Sequence, residues 1–125
     1  MIMEKDMDTK FDNALTNLHR HIVEDFERYD IRSANANGWG RNPEKVTEFA
    51  ESLSFEEGRK YIKVTKKLGT QTMVWGFIMK DDDSKFKKGD ILKAASWSAP
   101  ARNKPRGNIL QGDFSWVRWT GPEYL

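Results

Sequence analysis

Two histidines, no cysteine and a run of three aspartates are the residues to examine first, because they are the ones whose chemistry is specific. His19 and His21 lie two apart, so on a helix their side chains point about 200° apart and cannot share a metal. The absence of Cys removes disulfides, thiolate nucleophiles and cysteine-ligated metals together. The HExxH, GxSxG and GxxxxGK[ST] patterns are missing, and with them the zinc, nucleophile-elbow and phosphate-loop mechanisms. Asp81-Asp82-Asp83 offers oxygen ligands for a hard cation. A calcium loop, however, needs alternating ligands and a central glycine, and Ser84-Lys85 breaks that pattern, so a solvated turn is expected instead. No nucleophile–base pair suggests itself. The reading is of a non-enzyme with no cofactor and no metal.

The segment with most to say is Trp97-Ser-Ala-Pro-Ala-Arg-Asn-Lys-Pro-Arg-Gly-Asn108. Pro100 and Pro105 restrict its backbone, and Arg102, Lys104 and Arg106 form an alternating basic row with no acid among them. In Phe114–Trp119, read as a strand, Trp116 and Arg118 share one face while Val117 and Trp119 share the other. Arg118 marks its face as solvent-facing, which makes Trp116 a stacking candidate and Trp119 a core residue. Guanidinium groups and aromatic faces converging on one surface bind single-stranded nucleic acid by phosphate contact and base stacking. Five tryptophans in a small domain are equally what a core requires, and a basic loop is equally a solvated connection. On the binding reading, reversing Arg102, Lys104 and Arg106 to Glu abolishes binding and leaves the fold.

The elements that must position these residues follow from spacing. Phe11, Leu15, Leu18, Ile22, Phe26 and Tyr29 recur at steps of three and four, one stripe on one helix, and Thr9 with Asp12 resembles a capping box at its start. The stripe is predicted to end near Ile31, with Arg32–Arg41 a connector in which Trp39 docks on the core. Asn42 is an N-cap and Pro43 a first helical residue, so a second helix runs from about Pro43 to Leu53. Beyond it, strands are predicted at Tyr61–Lys67, Gln71–Lys80, Asp90–Trp97, Gly107–Leu110 and Phe114–Trp119. Met73, Trp75, Phe77 and Met79 fall on one face of the second, and Gly76 marks a bend or bulge.

The chain is 125 residues long with 38% hydrophobic and 32% charged content, enough for one domain with a core. The fold class expected is α+β: two N-terminal helices on a small five-stranded, SH3-like or barrel-like antiparallel sheet. Net charge is only +2, yet residues 1–57 hold 7 Lys and Arg against 13 Asp and Glu, and residues 58–125 hold 14 against 6. An acidic helical layer therefore faces a basic β unit. Either the two neutralise each other as halves of one domain, or the basic side meets a polyanion.

Phe86-Lys-Lys-Gly-Asp-Ile-Leu92 resembles the turn-into-strand segment of SH3-like barrels. Phe86–Lys93, Ala99–Ile109 and Trp119–Leu125 together resemble a family of small uncharacterised proteins of tailed, often marine, phages. That resemblance implies a phage origin and, with it, the host-cell cytoplasm, but no catalytic residues. A cytoplasmic location also suits a cysteine-free chain with a polar Met1–Asp12. No apolar run approaches the ~20 residues of a membrane span.

A stripe from Phe11 to Tyr29 spans about 27 Å at ~1.5 Å per residue, longer than a small barrel is wide. Part of it is therefore expected at a subunit interface, through Phe11, Leu15, Leu18, Ile22 and Phe26, in a homo-oligomer and most simply a dimer. Two functions follow: a nucleic-acid-binding module using Arg102, Lys104, Arg106, Trp116 and Arg118, or a protein-interaction and assembly component using the N-terminal helix and the aromatic C-terminus Trp119–Leu125.

Overall fold

The computed structural model describes residues 2–38 and 42–123, with side chains described from residue 9 onward. Trp39, and Tyr124 and Leu125 of the aromatic C-terminus, lie outside the described residues. Two helices, α1 (Ile2–Asn37) and α2 (Pro43–Ser52), precede strands β1 (Ser54–Glu57), β2 (Tyr61–Leu68), β3 (Gln71–Met79), β4 (Asp90–Leu92) and β5 (Gly107–Asn108). These five form an antiparallel sheet in the order β1-β2-β3-β4-β5, so the architecture is α+β as expected. A short 3-10 turn at Ile109–Gln111 follows, then a separate ribbon of β6 (Val117–Arg118) and β7 (Gly121–Pro122).

Helix α1 is longer at both ends than the stripe suggests. It is already running at Thr9, so the Thr9–Asp12 pair is interior rather than a cap; the segment before it holds three Met with Glu4 and Lys5, all good helix formers. It passes Ile31 because Ala34 continues the buried face, and it ends at Gly38, whose φ of +71° is the left-handed conformation that closes a helix. The stripe faces the protein's own sheet. Leu18, Ile22 and Phe26 join Phe49 of α2, Ile62, Val64 and Ile78 in one core. Helix α2 begins as its cap dictates: Asn42 Oδ1 accepts the Lys45 amide at 3.2 Å and Pro43 sits at the first turn.

The long strands carry one irregularity that resets their faces. Val64 pairs with Gly76 and Thr65 with Val74, leaving Trp75 unpaired as a bulge beside the glycine. Side chains before and after a bulge exchange faces. Trp75 therefore joins Ile78 in the helix-side core, while Val74 joins Phe77 and Met79 on the other face, against the expectation that Trp75 shares a face with Phe77 and Met79. On that second face Leu92 of β4 joins them and Phe86 covers them, with no helix residue among the described residues in that cluster.

The expected third strand stops at Leu92, where the chain leaves the sheet for a hairpin excursion that returns at Arg106. The expected fourth strand becomes a 3-10 turn after Asn108. The expected fifth is the Val117–Arg118 half of the ribbon. No pairing joins β1 to β5, so the sheet is open with those two strands as its edges. The ribbon is bolted on by four bonds: Trp75 Nε1 donates to the Arg118 carbonyl at 2.7 Å, the Trp119 amide donates to Asp25 Oδ2 at 2.8 Å, and Lys66 Nζ donates to the Trp119 and Thr120 carbonyls.

Candidate nucleic-acid interface

The basic row divides in the structure. Arg102 is drawn inward: its Nη2 donates to Asp83 Oδ2 at 2.6 Å, its Nη1 to the Tyr61 hydroxyl at 2.5 Å, and its guanidinium lies 4.8 Å from the Phe86 ring centroid. Lys85 Nζ donates to its carbonyl. Arg106 is tied to its own loop, donating to the Lys104 carbonyl and Asn103 Oδ1 and reaching the Glu123 carbonyl at 3.5 Å. Arg118 pairs with the Glu123 carboxylate at 2.5 Å and caps the Ser115 and Val117 carbonyls. Lys104 alone of the row extends freely at the surface.

Trp116 is not a surface platform. It is 8% exposed, donates Nε1 to the Asp113 carbonyl at 2.7 Å, and lies flat against Gly107. The strand expected to display it is only two residues long, so strand alternation does not govern position 116. Trp119 is half-buried among Phe26, Tyr29 and Phe49, as a core residue should be.

Asp83 organises the connection between β3 and β4. Its Oδ1 accepts the amides of Phe86 at 2.7 Å and Lys85 at 2.8 Å, and its Oδ2 faces Arg102 and, at 3.3 Å, Lys60. The two backbone donors first, and then Arg102, hold its carboxyl well below the usual carboxylate range. Asp82 accepts the Lys88 amide at 2.7 Å. The aspartate run is thus a hydrogen-bonded turn, and no group of three or more metal-ligating side chains occurs among the described residues. His19 bonds the Ala50 carbonyl at 3.0 Å and His21 stacks on Phe114 at 4.5 Å, so both histidines are packing residues.

An aromatic on the helix-free side does reach solvent, and it is Trp97. At 53% exposure it is the most exposed of the large hydrophobic side chains described, and it stands on a hairpin closed by the Ala94–Pro100 bridge and by the Ala95 and Ser96 amides on the Ala99 carbonyl. Lys63 of β2 holds its ammonium 4.2 Å from the Trp97 ring centroid. Beside the hairpin lies an open groove of about 280 Å³ whose walls include Arg59, Lys60, Tyr61, Lys63 and Ser98, with Glu56 and Glu57 as its acid rim. Sequence alternation already put Lys63 opposite Ile62 and Val64. What it lacked was the excursion folding back over that face, which no local pattern encodes. Trp97 among Ala and Ser neighbours has the composition of a tip, whereas the predicted strand Asp90–Trp97 includes it.

Residues 2–122 match the model of a family of unknown function, DUF7717. The chain belongs to that family. The match spans both helices, the sheet and the ribbon. No curated protein and no solved structure matches the chain. Among the described residues no helix is long and apolar enough to cross a membrane.

Proposed function

We propose that this protein is a non-enzymatic module that binds single-stranded nucleic acid on the helix-free face of its sheet. The observation that carries the reading is Trp97, solvent-exposed and backed by the Lys63 ammonium, at the mouth of a groove lined by Arg59 and Lys60. A base stacks on the open face of the indole while the cations take the flanking phosphates. The acidic helices pack on the opposite face and do not cover these cations, of which Lys60 is paired with Asp83 at 3.3 Å. Lys85 and Lys104 extend the track. Arg102 and Arg106 hold its backbone rather than the ligand, and Trp116 supports it from within. An origin in a tailed phage and a host-cytoplasmic location, suggested by the strings at 86–93, 99–109 and 119–125, suit such a role.

The test is fluorescence polarisation with labelled single-stranded DNA, single-stranded RNA and duplex across salt. Single strands are expected to bind with a log–log salt slope of about two to four phosphates. Trp97→Ala is expected to weaken binding roughly tenfold, as loss of one stacked base does. Equal binding of duplex, or no effect of W97A and K63E/K104E together, sinks the reading.

A protein-contact role through the stripe of α1 is narrower than the sequence implies. Leu18, Ile22 and Phe26 lie inside the chain's own core, which leaves Phe11 and Leu15 partly exposed for a homodimer or another partner.

A further inference from the structure

Strand β1 is an edge of the sheet, and its outer side is unpaired. The Gly58 amide donates to the Tyr61 carbonyl at 2.8 Å, and the register continues with Glu56 opposite Lys63 and Ser54 opposite Thr65. Bonded and non-bonded pairs alternate in an antiparallel ladder, so the amides and carbonyls of Phe55 and Glu57 point away from β2. Beneath this edge runs α1. Phe55 packs toward it, its ring centroid 6.2 Å from that of His19, whose own position is fixed by the Ala50 carbonyl. Between strand and helix lies a trough of about 420 Å³ walled by Leu15, Thr16, His19 and Phe55. It shares Asp12 and Leu15 with a second hollow of about 430 Å³ that reaches Phe11 and Ile62.

Charge decides the occupant. Lys80 already serves Glu57 and the Gly58 carbonyl, and Lys88 lies over the Phe11 ring. Asp12 on the helix, Glu51 just before the strand and Glu56 on it have no ion-pair partner among the described residues. A second copy of this chain pairing edge to edge would bring two Glu56-Glu57 pairs together, which like-charge repulsion disfavours.

We propose that the β1 edge and the trough below it take an extended peptide segment of a partner protein in which apolar residues alternate with lysine or arginine. The segment adds a strand to β1 through Phe55 and Glu57, drops its apolar side chains between Leu15, His19 and Phe55, and sets its alternate cations on the other face against Glu56, with Asp12 and Glu51 adding to the negative field. The site adjoins the Trp97 groove at Glu56 and Glu57 but does not depend on nucleic-acid binding.

The probe is a seven-residue peptide of alternating lysine and valine, titrated into the isotope-labelled full chain, with the glutamate–valine peptide beside it. The basic peptide is expected to shift the amide signals of Leu15, His19, Phe55 and Glu57, and the acidic one to leave them in place. Glu57→Pro removes an outward amide while sparing the β2 ladder, and is expected to abolish the shifts; Leu15→Glu, which charges the trough without touching the strand, is expected to do the same. Absence of shifts at millimolar peptide overturns the proposal. So do equal responses to both peptides, shifts confined to the Trp97 face, or unchanged binding in both variants while their spectra remain folded.

Discussion

At Gly107 an added β-carbon would lie 2.3 Å from the Trp116 ring, so the backbone of β5 and the indole occupy one another's space. Gly107→Ala must push the ring or the strand aside. We expect a loss of about 1–3 kcal/mol, the usual cost of overpacking, read as a lower urea midpoint. Lys66 makes a different demand. It is 5% exposed, its donors reach only carbonyls and the Trp119 face, and burial, helped by Lys93, lowers its pKa to about 8. The unfolded chain holds that proton up to the ordinary 10.5, so between these values it binds more protons than the folded one. Stability therefore carries the full cost of burying the ammonium below pH 8 and rises as pH climbs from about 8 to 10.5, by about 3 kcal/mol at most. Lys66→Met is expected to remove that rise, measured as urea midpoints against pH beside the parent. Neither residue was legible in the sequence, because both are set by the ribbon docking from more than fifty positions away in the case of Lys66 and by a side-chain contact in the case of Gly107.

Among the elements, those with local signals were readable and those set by packing were not. Helix α2 announces itself by Asn42 and Pro43, which act within one turn. Asn42→Ala is expected to cost about 1 kcal/mol, measurable in the same denaturation series. Strand β1 has no alternating apolar pattern in Ser54-Phe55-Glu56-Glu57; it exists because β2 offers it a ladder. The face exchange at Trp75 was half legible, since Gly76 signalled a bulge but not which residue would be left out. The turn between β3 and β4 depends on Asp83. Because the folded pKa is depressed, its contribution is present above the ordinary carboxylate value of 3.8 and is lost as pH falls through and below it. Asp83→Asn should flatten that acid limb of the stability profile. It should also leave Arg102 bonded to Tyr61 alone, loosening the Trp97 hairpin in hydrogen exchange.

On the scale of the whole molecule, the charge asymmetry between residues 1–57 and 58–125 was plain in the sequence, but its meaning was not. It fits either complementary layers that cancel or a basic side that meets a polyanion. The helices cover one face of the sheet and the basic excursion the other, with β2 and β3 between them. The same layering leaves the two contact surfaces meeting at Glu56 and Glu57, so nucleic acid and the basic peptide are expected to bind together rather than exclude each other; a competition titration checks this. It also makes each molecule an electric dipole with a small net charge. Near the isoelectric point, around pH 8.8, copies attract head to tail, acid face to basic face, and such a contact does not close on itself. Solubility should then be lowest in dilute buffer and increase as salt screens the attraction, with the second virial coefficient from light scattering turning from negative to positive.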